Sequence, residues 1–127
     1  MSLQSKYQKV LDLGQEFGVT DGFVKEEEGK LKIGGTTKTQ YQKNAMWNKI
    51  KEIGGDAPAD IAADIKVENT EYYHKHTVQS GESLSLIAKH YFGDPMKYKA
   101  IFEANTDQLD NPDLIHPGQE LVIPFVD

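Results

Sequence analysis

The chain is predicted to be an α+β protein in two parts, an N-terminal α-β-β-α-β unit followed by a C-terminal β-α-α-β unit. Three observations predict this. Apolar residues recur at helical spacing in some stretches and alternate in others. Gly-Gly and Gly-Asp-Pro steps punctuate the stretches. Two blocks then bracket the last fifty-odd residues. His76-Thr77-Val78-Gln79-Ser80-Gly81-Glu82-Ser83-Leu84 reads as a strand, a Gly turn and a helix cap. Ile115-His116-Pro117-Gly118-Gln119-Glu120-Leu121-Val122-Ile123-Pro124 reads as a loop, a Pro-Gly turn and a closing strand.

Bulk properties narrow the classes of partner. With 127 residues the chain is one domain or two small ones, and domains near fifty residues bury little apolar surface. Hydrophobic residues make up 38% and charged residues 27%, as in an ordinary globular protein. The net charge of -6 argues against sequence-independent binding to nucleic acid or an anionic membrane, which requires a local excess of Lys and Arg. There is no cysteine, which excludes disulfides, thiolate metal sites and a Cys nucleophile. Met1-Ser2-Leu3-Gln4-Ser5-Lys6-Tyr7 runs directly into an amphipathic helix without an apolar signal core. No later stretch approaches the roughly 20 apolar residues of a membrane span. A cytoplasmic protein without a membrane span is expected.

In chain order, Leu3, Tyr7, Val10, Leu11 and Phe17 form one apolar stripe of a first helix ending near Gly18. Phe23 and Val24, the turn-like Glu28-Gly29-Lys30, and alternating Leu31 and Ile33 predict a hairpin, with Gly34-Gly35 ending its second strand. Thr39 is placed to cap the next helix, with Gln42 at capping-box spacing. Met46, Ile50 and Ile53 line one face of that helix until Gly54-Gly55 stops it. Ile61, Ala63, Ile65 and Val67 alternate with polar or small neighbours, so a strand with one buried face follows. Glu68-Asn69-Thr70-Glu71-Tyr72 is a short linker without the Gly/Ser or Pro bias of a flexible tether, which predicts that the two halves touch.

In the second half, Tyr73 to Val78 should form a strand, and Ser83 should cap a helix whose Leu84, Ile87, Ala88, Tyr91 and Phe92 share a face. Gly93 stops it, Asp94 caps the next helix and Pro95 suits its first turn. Tyr98, Ile101 and Phe102 make the second stripe. Leu121 and Ile123 close a two-stranded sheet, and Pro124 ends the pairing.

Residues 73–124 resemble the LysM domain, with matching motifs in order. The Gly29-Lys30-Leu31-Lys32-Ile33-Gly34-Gly35-Thr36 strand running into a helix, within its α-β-β-α-β order, resembles the BON domain. These resemblances imply a BON-like domain at 1–68 and a LysM domain at 73–127. LysM relatives hold an N-acetylglucosamine-containing glycan between two loops, here Gly81-Glu82-Ser83-Leu84 and Asn111-Pro112-Asp113-Leu114-Ile115. Backbone groups at a helix start and a turn suit an acetamido sugar, while Leu114 and Ile115 offer apolar contact. A turn at Gly81 and a cap at Ser83 would by themselves explain those two residues. The long, acidic Thr106-Asp107-Gln108-Leu109-Asp110-Asn111 stretch, His116 where a tyrosine is frequent, and a single module rank this peptidoglycan-binding reading second.

A BON-like half joined to a LysM domain of this longer-loop type, without a signal peptide, resembles the bacterial cytoplasmic potassium-binding protein family. The resemblance implies a non-enzymatic small-ligand binder in which a potassium ion stabilises packing of the two domains, and no cofactor beyond that ion. Potassium is selected by several carbonyl oxygens rather than by a carboxylate cluster. The helix-end loop Gly54-Gly55-Asp56 is the candidate, because helix C-terminal carbonyls are unpaired and partly negative. A structural role in a phage-tail-like particle is a third class, since such assemblies also carry LysM domains. His74-Lys75-His76 sets two imidazoles on one strand face, but zinc needs three or four converging ligands and no third is secured. Glu26-Glu27-Glu28 reads as a solvated strand end. Trp47 reads as core, as a junction residue or, if exposed, as a partner site. No Gly-x-Ser-x-Gly elbow, phosphate-binding loop or acid/base carboxylate pair is present, so no enzyme is expected.

Overall fold

The computed structural model describes residues 2–126. The chain divides into two compact units, the first ending at Thr70 and the second beginning at Glu71.

The N-terminal unit contains α1 (Leu3–Lys6), α2 (Gln8–Phe17), β1 (Thr20–Glu27), β2 (Lys30–Thr37), α3 (Gln40–Gly54) and β3 (Ile61–Val67). The sheet order is β1-β2-β3, with β1 antiparallel and β3 parallel to β2. The first helix is broken where one continuous helix was expected. At Tyr7 the backbone leaves helical geometry (φ -103°, ψ 19°), and Tyr7 itself is fully buried. Tyr7 and Val10 join Leu31, Ile33, Met46, Ile50, Ile61 and Ile65 in one core. The apolar stripe therefore places the helix correctly, with Leu3, Leu11 and Phe17 packed at the margin. Gly18 closes α2 in the left-handed region (φ 70°), the conformation that a helix C-terminus most often gives to glycine.

Glu28 and Gly29 form a two-residue hairpin turn with positive φ at both positions, 55° and 78°. That is the type I′ geometry whose twist matches the flanking strands. The expectation that Gly34-Gly35 ends the second strand is corrected: β2 continues to Thr37. Gly34 pairs with Asp64 and Gly35 with Ile65. A Cβ on Gly34 would lie 2.5 Å from the Phe23 ring, and one on Gly35 would lie 2.4 Å from Val19. The glycines let neighbouring residues lie against the strand; they do not end it.

The Thr39 hydroxyl accepts from the Gln42 N–H at 3.3 Å. The Gln42 side chain accepts from the Lys38 N–H at 3.0 Å, one residue before the position a capping box would use. Trp47 is half-buried against the N-terminal core.

The C-terminal unit contains β4 (His74–Thr77), α4 (Leu84–Phe92), a 3₁₀ turn (Pro95–Lys97), α5 (Tyr98–Ala104) and β5 (Glu120–Ile123). β4 and β5 pair antiparallel. Ser83 Oγ accepts from the Leu86 N–H at 3.2 Å, which caps α4. Gly93 closes α4 at φ 75°. Asp94 then caps the Met96 N–H at 2.9 Å, with Pro95 first in the turn. The expected second helix thus begins as a 3₁₀ turn and becomes α-helical at Tyr98. Val78, Leu84, Ile87, Ala88, Ile101, Leu109, Leu121 and Ile123 form this unit's own core.

Among the described residues, no helix is long and apolar enough to cross a membrane.

Candidate functional site

The two loops of the glycan reading leave the same end of the β4·β5 sheet. The Val78 N–H donates to Gln119 O and the Gly118 N–H to Val78 O, both at 2.8 Å, so both chains turn away together. Gly81 has φ 86° and open space where a side chain would stand, so conformation alone explains the glycine. Ser83 is occupied as the α4 cap. Leu84 is only 2% exposed, so its side chain belongs to the core and only its backbone is left to meet a surface ligand. Asn111 organises a turn: its Oδ1 accepts from the Asp113 N–H at 2.9 Å and its carbonyl from the Leu114 N–H at 3.0 Å. Pro112 lies within that turn, half-buried. Leu114 is exposed, whereas Ile115 packs against the core. Leu86, in the first turn of α4, is also exposed and was not singled out from the sequence. Its outward direction follows from the Ser83 cap, which fixes the helix phase.

Glu82 ties this end together. Its Oε1 accepts from the Gln79 N–H at 2.6 Å and lies 2.8 Å from His76 Nε2. A carboxylate only accepts, so Nε2 carries a proton; Nδ1 of a neutral ring then accepts from the Tyr91 hydroxyl, 2.7 Å away. Burial raises the Glu82 pKa, but the bonds from His76 and Gln79 outweigh it and hold the carboxyl below its ordinary value. Tyr91 also meets the rings of His74 and His90, at centroid separations of 5.5 and 4.8 Å. Among the described residues, no group of three or more His, Cys, Asp or Glu side chains is arranged to hold a metal ion.

His74 is pushed down to about 4, first by burial and then by the neighbouring His76 and His90. Its folded-state value lies below the unfolded value, so the unfolded chain binds more protons across the interval between them. His74 therefore contributes stability above pH 6.5 that is lost as pH falls toward 4. Allowing for partial exposure, the loss should be about 1–2 kcal/mol. Urea midpoints of the C-terminal unit, followed by α4 and β5 amide signals, should fall over this range in the wild type. They should fall less in His74→Phe, and parallel curves would remove His74 as the cause.

The potassium candidate lies in the other unit, at the end of α3. The Gly55 N–H closes the last turn onto Lys51 O at 2.8 Å, and Gly55 then leaves the helix at φ 89° and ψ 177°. Pro58, four residues beyond Gly54, has no N–H to offer the Gly54 carbonyl. The negative end of the helix dipole is therefore directed at Gly55 and Asp56, both exposed. Gly54 has a packing role as well. A Cβ there would lie 2.3 Å from the Tyr7 hydroxyl and 2.9 Å from Pro58 Cβ. The Tyr7 hydroxyl donates to Asp60 at 2.5 Å, and Lys6 pairs with the same carboxylate at 2.5 Å. Burial, then the bond to Asp60, pushes the phenol up to about 12.

A two-stranded sheet packed with a helix pair defines the C-terminal unit, and residues 76–124 match the family model of the LysM domain. The chain is thus a mixed α and β protein with a LysM domain at its C-terminal end. It is similar to the potassium binding protein Kbp of Escherichia coli, 35% identical over 99 residues, which cover 76% of this chain and 64% of that protein. It is also similar to an uncharacterized protein of Deinococcus radiodurans, 57% identical over 49 residues, which cover 39% of this chain and 19% of that protein. The chain spans less than two thirds of the length of either relative.

Proposed function

We propose that this chain is a non-enzymatic binding protein whose ligand is the potassium ion, with a BON-like N-terminal unit preceding the LysM domain. One observation carries the reading. The 99 residues aligned with the potassium binding protein Kbp exceed the length of the C-terminal unit, so the likeness reaches into the N-terminal one. A shared LysM domain alone would not extend so far. The BON-like reading is supported by the α-β-β-α-β order, with an antiparallel and a parallel pairing around β2.

The physical chemistry is compatible with potassium. A large, weakly hydrated cation is held by carbonyl oxygens, which discriminate by spacing rather than by charge. The end of α3 presents such oxygens beside Gly55 and Asp56. In amide spectra of the intact chain, raising potassium at constant ionic strength should move the Gly54, Gly55 and Asp56 signals saturably. Equal sodium should move them little; identical responses would refute a selective site there.

The LysM match favours a second reading, binding of N-acetylglucosamine oligomers. Exposed Leu86 and Leu114 at the loop end of the sheet offer an apolar surface for a sugar ring. Spectra recorded with those oligomers would then move Gly81 to Leu84 and Asn111 to Ile115 instead.

A further inference from the structure

We infer that the N-terminal unit contains a second binding site, for a neutral and largely apolar small molecule, in the cleft between α2 and the inner face of β1. The cleft has a volume of about 350 Å³, within the range of small-molecule sites and large for a void in a folded interior. Leu11, Val24, Ile33, Met46 and Ile65 supply its apolar surface. Gln4, Gln8 and Gln15 supply side-chain amides from the helical wall.

Its origin lies in the topology. Val24 pairs with Ile33 on β2, so both side chains point to the same face of the sheet. Ile33 is buried beneath the helices, yet Val24 is 44% exposed. Every residue of β1 from Thr20 to Glu26 is likewise exposed. The helices cover β2 and β3 and leave the inner face of β1 open, with α2 as the facing wall.

A second observation is independent of the volume. The β1·β2 register shifts between Thr20 and Phe23, and Asp21 within that shift has φ 53°. Side chains adopt the left-handed region rarely, and Asp is among the few residues that tolerate it at a single position. Bulges of this kind redirect strands beside binding sites. Here the bulge carries Gly22 into the cleft wall, where a Cβ would have only ordinary contacts at 3.8 Å or more.

The lining selects the ligand class. None of the lining residues is charged, so an ionic ligand would lose hydration without gaining a counter-charge. Glu26, on β1, lies outside the lining, with its Oε1 engaged by the Gln4 N–H at 2.9 Å; it further disfavours anions and places no counter-charge for a cation in the cleft wall. The ligand is therefore uncharged, mostly apolar, and bears a carbonyl, hydroxyl or amide able to pair with a glutamine amide.

The probe is indole, titrated into the intact chain and followed by amide spectra, with tryptamine and indole-3-acetate as charged counterparts. Indole should shift the Gly14, Gly22, Val24 and Gly35 amides saturably, with equal affinity in potassium and sodium. Both charged analogues should bind at least about tenfold more weakly, the cost of desolvating a charge. Val24→Trp, which fills the cleft from an exposed position, should abolish the shifts while the far-ultraviolet circular dichroism stays unchanged. Gln15→Glu, on the exposed face of α2, should weaken indole several-fold if Val24→Trp proves unstable. Shifts spread over both units, equal binding of the three probes, or indole binding unaffected by both substitutions would overturn the inference. So would concentration-dependent shifts of β1 without ligand, because a second copy would then cover the strand. Sodium-insensitive indole binding would stand even if the potassium reading failed.

Discussion

Replacing Asn105 by alanine is expected to destabilise the C-terminal unit by about 3–4 kcal/mol, from the loss of three hydrogen bonds made by one buried side chain and the stranding of their partners. Asn105 is 1% exposed. Its amide donates to Ile101 O at 2.7 Å and to Val122 O at 2.8 Å. Its Oδ1 accepts from the Val122 N–H, also at 2.8 Å. In an antiparallel pair, alternate residues direct both backbone groups away from the partner strand. Val122 is such a residue in β5, and Asn105 meets both its groups as a third strand would. A domain this small has roughly 0.05–0.15 kcal/mol of stability per residue, so the loss approaches the whole.

The measurement is amide hydrogen exchange at Leu121, Val122 and Ile123, which should collapse toward unprotected rates in Asn105→Ala. Asn105→Asp tests the mechanism. A carboxylate cannot donate to either carbonyl, so the variant should be about as damaged at neutral pH and should recover partly when acid restores one donor. A loss below about 1 kcal/mol in the alanine variant would mean that water replaces the side chain.

The second large effect concerns Gly54. Alanine is intrinsically the better helix former by about 1 kcal/mol, yet Gly54→Ala should destabilise the N-terminal unit by about 2 kcal/mol through overpacking. The contact responsible is the Tyr7 hydroxyl, 2.3 Å from the added methyl and anchored by Asp60. Tyr7→Phe removes that oxygen and should cost about 1–2 kcal/mol for the lost bond to a charged acceptor. The double variant should then cost about 1 kcal/mol less than the two single losses together. The only tryptophan, Trp47, belongs to the core of this unit, so its fluorescence follows this unit's unfolding. Strict additivity would show that Pro58, the next nearest neighbour, is the real obstacle.

These two residues mark the boundary of what the sequence discloses. Ser83, Asp94 and Gly18 act on neighbours within three residues, and their chemistry was legible in order of appearance. The Tyr7, Val10, Ile50 and Ile65 core followed from periodicity for the same reason. Asn105 acts on Val122, 17 residues away, and nothing in its immediate sequence neighbours marks that partner. Gly34-Gly35 resembled a strand stop because local punctuation carries no record of pairing with β3. The cleft beside β1 left no trace either. Asp21-Gly22-Phe23-Val24-Lys25 has no period-two pattern, and its exposure is decided by which strands the helices cover.

The glycan loops were partly legible. Their turn and cap residues were identified, while Leu84 turned inward because the cap sets the phase of α4. A potassium site is the hardest to read. Its ligands are backbone carbonyls, which every residue possesses, so only the end of α3 and its glycines hint at one.

Thermal unfolding of the intact chain in potassium chloride and in sodium chloride at equal ionic strength tests the potassium reading most directly. Binding to the folded form raises stability by RT ln(1 + [K⁺]/Kd), about 2.7 kcal/mol when potassium is at one hundred times Kd. The midpoint should be higher in potassium and climb steadily with its concentration. Superimposable curves in the two salts would contradict that reading.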